Sequence, residues 1–144
     1  MTEPRWMDIA RGELGVKEAP GAADNPRVVE YHAATSLHSA DDETPWCSAF
    51  ANWCMAQAGL EGTNSAAARS WLKWGEACEP KLGAVTVLWR GKPTAATGHV
   101  GFFVKADASF VWLLGGNQGD AVSIQPFPRH RVLAYRWPAL IAKE

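Results

Sequence analysis

Apolar positions in the first half of the chain recur at helical spacing. In residues 4–14 they fall three or four positions apart, and Gly15 follows as a stop signal. A second, short helix is predicted from Pro26, where proline suits the first helical position. Two further helices are predicted over residues 45–58 and 66–74. The pattern therefore indicates a largely helical first half.

The pattern changes after Pro80 to short runs rich in β-branched and aromatic residues. Glycine and proline turns separate these runs, as is typical of strands in a meander. The predicted strands lie within residues 84–89, 99–105, 110–114, 121–125 and 132–136. Helices followed by strands indicate the α+β class, with N-terminal helices packed on a small antiparallel sheet of about five strands.

The chain of 144 residues has the length of one domain and shows no repeat, low-complexity segment or linker. We therefore predict a single domain over residues 1–144. Its predicted parts are a helical lead-in over 1–43, a central helix over 45–58 and a sheet over 83–137.

The composition is that of a globular protein, with 47% hydrophobic and 20% charged residues and a net charge of −1. No general basic field attracts nucleic acid or an anionic membrane, which argues against a nucleic-acid binder. Residues 1–8 lack a basic segment followed by an apolar one, so we expect no secretory signal peptide. No apolar run approaches the roughly 18 residues that span a bilayer. We expect synthesis in the cytoplasm and no membrane insertion.

Cys47 lies where a loop runs into the predicted central helix. Thr44 suits the N-cap and Pro45 the first helical position, which would put Cys47 at about the third. Free N–H groups and the positive end of the helix dipole favour a thiolate there, as a nucleophile requires. Most free cysteines are small buried core residues, and that alternative stays open at this point.

The other two cysteines suggest neither a disulfide nor a metal site. Cys54 lies seven residues after Cys47, about 10 Å along a helix, which is too far for a disulfide. Cys78 belongs to a different segment, and the sequence contains no C-x-x-C pair. We therefore predict no disulfide, no zinc site and no cofactor.

His99 is the candidate base among the four histidines. Gly98 and Gly101 flank it in a predicted strand and leave space around its ring. Because side chains alternate along a strand, Val100 and Phe102 should face one side and His99 the other, where it can meet a thiol. A structural histidine is the alternative. The remaining three are predicted to be exposed polar residues: His32, His38 and His130.

Asn117 follows the next strand, in the segment Gly116-Asn117-Gln118-Gly119. In a hairpin of adjacent strands it would lie beside the start of the His99 strand. Its side-chain oxygen could then accept a hydrogen bond from the imidazole and fix the tautomer, as in a catalytic triad. Asparagine is also common in turns, so a plain turn residue is the alternative.

Several short motifs together resemble the CHAP amidohydrolase/peptidase group, part of the NlpC-like branch of papain-fold cysteine peptidases. These motifs are Trp46-Cys47-Ser48-Ala49-Phe50 with Trp53-Cys54, Gly83-Ala84-Val85, Gly98-His99-Val100-Gly101 and Gly116-Asn117. Upstream, residues 9–18 and the pair Asn25-Pro26 before Tyr31 look like the helical lead-in of single-domain phage and bacterial members. The resemblance therefore covers most of the chain.

The resemblance implies a papain-like (NlpC/CHAP) fold and an enzyme, an endolysin-like amidase or endopeptidase that cleaves an amide bond of the cell-wall peptide. It also implies that Cys47 is the nucleophile, His99 the general base and then acid, and Asn117 the polar orienter. Many members have an acidic residue two positions before that asparagine, where this chain has Gly115. A further acid therefore stays open, and Asp120 is a candidate.

Three residues near the predicted pair are assigned to oxyanion and substrate binding: Trp46, Ser48 and Gln118. The Cys47 backbone N–H, near a helix N-terminus, can also hold the oxyanion. Trp46 would wall a groove for glycan or peptide, although core filling is the alternative for this aromatic side chain.

Two other functions stay open from the sequence. A thiol-dependent deamidase or transglutaminase-like toxin would keep the fold and the thiol but act on protein glutamines. A catalytically silent wall-binding module would have no need of a thiol and an imidazole together. We expect peptidoglycan as the partner, and a holin, secretion machinery or an immunity protein as accessory partners. The protein is expected to be a monomer that acts on the cell wall after release or delivery.

Overall fold

A computed structural model describes residues 4–17, 26–35, 46–95 and 97–139. The first half of the chain is helical, as its pattern predicts, and α1 and α2 begin close to the predicted positions. The residues predicted as a fourth α-helix form a shorter 3-10 helix. The helices are α1 (Arg5–Gly12), α2 (Pro26–His32), α3 (Cys47–Gln57) and the 3-10 helix Ala68–Lys73. None of the described helices is long and apolar enough to cross a membrane.

The second half forms one antiparallel sheet, so the predicted α+β class is confirmed. The order of strands across the sheet is β1-β6-β2-β3-β4-β5. The strands are β1 (Glu76–Ala77), β2 (Val85–Trp89), β3 (Gly98–Ala106), β4 (Phe110–Gly115), β5 (Ser123–Pro128) and β6 (Val132–Trp137), with a 3-10 turn at Arg129–Arg131. The pattern missed β1 because two exposed residues show no alternation.

Helix α3 is the centre of the domain. Every residue from Cys47 to Met55 is buried, including the polar Ser48 and Asn52, so the helix is enclosed on all sides rather than amphipathic. It packs against α1 and α2 on one side and against β3 on the other. The side chains of Val100 and Phe102 join this helix-side core, as the alternation predicts.

The helix begins later than the sequence predicts. Trp46 is its N-cap residue, with a non-helical φ of −127° and no side-chain capping bond. Cys47 is therefore the first helical residue rather than about the third. The predicted cap and first position, Thr44 and Pro45, lie outside the described residues.

Tyr31 of α2 anchors the residue that precedes Cys47. Its ring stacks on Trp46 with ring centroids 5.7 Å apart and meets the edge of Phe50 at 5.0 Å. Its hydroxyl donates to Glu13 Oε1 at 2.6 Å. Burial and this bond to a carboxylate raise the pKa of Tyr31, which keeps it a neutral donor. The packing therefore holds the start of α3 from the helical side.

Candidate active site

Cys47 and His99 meet where α3 begins and β3 begins. The thiol and the imidazole lie close enough for each to shift the ionisation of the other through charge and hydrogen bonding. Only 7% of Cys47 and 6% of His99 are exposed. The pair is therefore largely sheltered from bulk water, which strengthens the electrostatic interaction between its members.

The two members of the pair shift each other's ionisation in opposite directions. Burial opposes ionisation of Cys47, but the charge of His99, the hydrogen bond to it and the Val100 backbone N–H together lower the pKa of the thiol. Burial opposes protonation of His99, but the thiolate and the hydrogen bonds to Cys47 and Gln118 raise the pKa of the imidazole. These shifts favour a thiolate–imidazolium pair, the reactive form of a nucleophilic cysteine.

The sheet register leaves room for the thiol beside β3. Strand β3 pairs with β2 from Gly98 onward, but with β4 only from Phe102. The start of β3 therefore extends beyond the end of β4, and its outer backbone edge carries no strand partner. Cys47 lies close enough to this edge for the Val100 N–H to lower the pKa of its thiol.

The other ring nitrogen of His99 contacts Gln118 rather than Asn117. The Nε2 atom lies 2.9 Å from Gln118 Oε1, and Gln118 is only 4% exposed. Asn117 has a φ of +59° in the turn after β4, the left-handed conformation that asparagine tolerates. The place expected for Asn117 is thus taken by the next residue, and the turn alternative describes Asn117. Asp120, the candidate acid, is exposed in the same turn with a φ of +61°.

Trp46 and Ser48 do not line a surface open to substrate. Both are fully buried. Trp46 packs on Tyr31, and its ring closely approaches the backbone of Gly116. Ser48 Oγ donates to the Ser65 carbonyl at 2.7 Å. Their assignment to substrate and oxyanion binding is therefore corrected to a packing role, because the helix they start is buried on every side.

The other cysteines differ from Cys47 in environment and in ionisation. All three cysteines are free. Burial raises the pKa of the Cys54 thiol well above its ordinary range and also raises that of Cys78. Among the described residues, no imidazole shifts the pKa of either thiol as His99 does that of Cys47. Cys47 is therefore the cysteine whose surroundings favour the thiolate.

The remaining histidines lie apart from the pair. His130 is exposed, as predicted, whereas His32 is fully buried at the end of α2, contrary to the prediction. His38 lies outside the described residues. Among the residues that the structure describes, no group of three or more His, Cys, Asp and Glu side chains is placed to hold a metal ion.

Sequence reasoning missed two residues that support His99. The Phe127 ring of β5 lies 5.0 Å from the imidazole, tilted by 30°, and covers one face of it. Arg69 donates to the carbonyls of Thr97 and Pro93 at 2.8 Å each and so holds the loop that leads into β3. Neither carries a local signal, because both lie at least 28 residues from His99 in sequence and reach it only through the fold.

Comparison with known families agrees with this geometry. A family model described as CHAP domain matches residues 39–117, which is more than half of the chain. The matched range includes Cys47 and His99, and it ends one residue before Gln118. A comparison with curated proteins finds no match.

Proposed function

The chain belongs to the CHAP domain family, whose members are generally amidases or peptidases of the peptidoglycan-hydrolase type, and we propose that it cleaves an amide bond of the cell-wall peptide. In this proposal Cys47 is the nucleophile, and His99 is the general base and then the general acid. The observation that carries the proposal is the buried Cys47–His99 pair, in which each member shifts the pKa of the other in the direction that favours a thiolate and an imidazolium.

The first half-reaction forms an acyl-enzyme. The Cys47 thiolate attacks the carbonyl carbon of the amide, and the C=O π electrons move onto the oxygen. Backbone N–H groups in the first turn of α3 lack helical partners and carry the positive end of the dipole, which suits them to hold that oxyanion. When the C–N bond breaks, the His99 imidazolium gives its proton to the departing amine.

The second half-reaction returns the enzyme to its starting state. His99, now neutral, takes a proton from a water molecule whose oxygen attacks the thioester carbon. The C–S bond then breaks, the acid product leaves, and the thiolate–imidazolium pair is restored. One amide and one water are consumed for each amine and acid released, so no cofactor is required by this chemistry.

The pair also bears on the two alternative functions. A silent wall-binding module has no need of a thiol whose pKa is lowered by a buried imidazole, so the geometry argues against it. A thiol-dependent deamidase would use the same two side chains on a glutamine amide. The two functions are therefore distinguished by the substrate, which is a cell-wall peptide in the proposal and a protein glutamine in the alternative.

The test is mass spectrometry of purified peptidoglycan after digestion. Wild-type protein should release soluble fragments whose masses identify the bond, and Cys47→Ala should release none. The matched control is Cys78→Ala, which removes a partly buried thiol that has no imidazole partner and should digest like the wild type.

Two results would overturn the proposal. One is an intact wall after treatment with wild-type protein that circular dichroism shows to be folded. The other is equal digestion by Cys47→Ala. In the first case, ammonia release from a glutamine-rich protein would identify the deamidase instead.

A further inference from the structure

We infer, resting on the proposed function, that Gln118 is the positioning residue of the catalytic pair. Its carboxamide occupies the space left by Gly101 and Gly115, accepts a hydrogen bond from His99 Nε2, and thereby turns Nδ1 toward Cys47. The third residue of the site, which orients His99, is then Gln118 in the turn after β4 rather than Asn117.

The orientation of the Gln118 carboxamide follows from its neighbours. Its Nε2 donates to the Leu113 carbonyl at 2.9 Å and to the Ser123 carbonyl at 2.7 Å. Carbonyl oxygens only accept hydrogen bonds, so the nitrogen of the amide must face them. The oxygen then faces His99, where the Oε1 to Nε2 distance is 2.9 Å.

This orientation fixes the tautomer of the imidazole. Because Gln118 Oε1 only accepts, His99 Nε2 must carry the hydrogen in both the neutral and the charged ring. In the neutral ring Nδ1 is then unprotonated and is the nitrogen that receives the proton of Cys47. Without this bond the ring could present a protonated Nδ1 to the thiol, the tautomer that cannot act as a base.

Two glycines make the space for the carboxamide. A Cβ atom built on Gly115 would lie 2.5 Å from Gln118 Oε1, and one built on Gly101 would lie 3.2 Å from it. Any side chain at position 115 would therefore push the amide oxygen away from His99. The carboxamide of Gln118 can therefore reach His99 only because position 115 has no side chain.

Gln118 is also held by its own backbone. Its N–H donates to the Ala121 carbonyl at 2.9 Å, and its carbonyl accepts from Ser123 Oγ at 2.8 Å. The turn is joined to the N-terminal region, where the Val122 N–H donates to the Val16 carbonyl at 2.8 Å. Because both the backbone and the carboxamide of Gln118 are hydrogen-bonded, its side chain can hold the imidazole at a constant angle.

Three variants test the inference by two measurements. Gln118→Ala removes the acceptor. Gly115→Ala leaves Gln118 in place but displaces its oxygen, so the test does not depend on Gln118→Ala folding. Asn117→Gly is the matched comparison, because glycine keeps the left-handed turn while removing the side chain. The measurements are kcat and KM on peptidoglycan, and a pH titration of the His99 ring nitrogens by NMR, assigned with His99→Asn.

The expected result separates Gln118 from Asn117. Gln118→Ala and Gly115→Ala should lower kcat on the order of tenfold or more with little change in KM, because orientation of the base is lost. In both, the His99 imidazolium should titrate at lower pH than in the wild type, because an acceptor for its proton is removed. Asn117→Gly should lose less activity, and its His99 imidazolium should titrate at the same pH as in the wild type.

Two results would overturn the inference. One is a His99 titration that moves in Asn117→Gly but not in the other two variants, which would return the position to Asn117. The other is a His99 titration that is unchanged from the wild type in all three variants, each shown to be folded. Because the NMR titration needs no substrate, it remains decisive even if peptidoglycan proves not to be cleaved.

Discussion

The indole N–H of Trp71 donates to the Oγ of Ser48 at 2.9 Å, and both side chains are fully buried. The Ser48 hydroxyl in turn donates a hydrogen bond to the Ser65 carbonyl. These bonds join the 3-10 helix to α3 one residue after Cys47. The position of the thiol therefore depends on a segment about 20 residues further along the chain.

Ser48→Ala should destabilise the protein rather than slow its chemistry. The substitution leaves the buried Trp71 N–H without its acceptor, which costs about 1–3 kcal/mol, whereas the Ser65 carbonyl keeps the hydrogen bond from Asn52 Nδ2 at 3.2 Å. Urea unfolding should show this loss. Ser109→Ala, at an exposed hydroxyl in the turn before β4, is the control and should unfold like the wild type. A Ser48→Ala protein of unchanged stability but reduced kcat would instead make Ser48 an oxyanion donor.

The pH dependence of hydrolysis should be bell-shaped. The pKa of Cys47 is lowered from its ordinary 9.0, so activity should be lost only as the pH falls through that lower value. The pKa of His99 is raised from its ordinary 6.5, so its imidazolium should be lost as the pH rises through that higher value. Activity should be greatest between the two, where thiolate and imidazolium coexist.

The rate of clearing of wall suspensions, expressed as kcat/KM, measures this profile. A rate that rises through pH 9 like the ionisation of an ordinary thiol would contradict the ion pair. Cys78→Ala serves as the control and should give the profile of the wild type, because His99 is not among the groups that shift the pKa of that thiol.

Arg69→Ala should loosen the loop that leads into β3. The guanidinium donates to the carbonyls of Thr97, Pro93 and Lys92 at 2.8, 2.8 and 3.2 Å. Without them, hydrogen exchange at the Thr97 and Gly98 amides should increase and kcat should fall several-fold, because misplacement of the base by a fraction of an ångström is costly. Arg69→Lys should rescue little, since one ammonium lacks the fork that reaches three carbonyls.

The control for this variant uses the same chemistry elsewhere in the sheet. Arg136 donates to the carbonyls of Trp74 and Gly75, beside the β1 edge. Arg136→Ala should raise exchange there and leave kcat near that of the wild type. Equal losses of kcat in Arg69→Ala and Arg136→Ala would show that general loosening, rather than placement of His99, is being measured.

Gly116→Ala should destabilise the protein by overpacking. A Cβ atom there would lie 2.7 Å from Phe50 Cβ and 2.8 Å from the ring of Trp46, and both neighbours are buried. Such insertions into a packed core typically cost about 1–3 kcal/mol. Thermal unfolding measures the loss. Gly12→Ala, where an added Cβ meets nothing within 4 Å, is the control and should be neutral or stabilising. A Gly116→Ala protein with an unchanged Tm would contradict this packing.

The amino-acid sequence indicated most of the elements and the two candidate reacting groups. Helical spacing, strand alternation and turn residues depend on near neighbours, so they indicated the α+β class correctly. A cysteine at a helix start and a histidine between glycines are also local features. Because each motif limits which face its side chain can occupy, Cys47 and His99 could be named before their contact was known.

Only the tertiary structure decided what surrounds those two groups. The helix starts at Cys47 because Trp46 is non-helical, and Trp46 and Ser48 are buried because α3 is enclosed on every side. Gln118 reaches His99 because glycines on two different strands leave the same space empty. Such contacts join residues far apart in sequence, and the choice between Asn117 and Gln118 depended on a turn conformation that no local pattern determines.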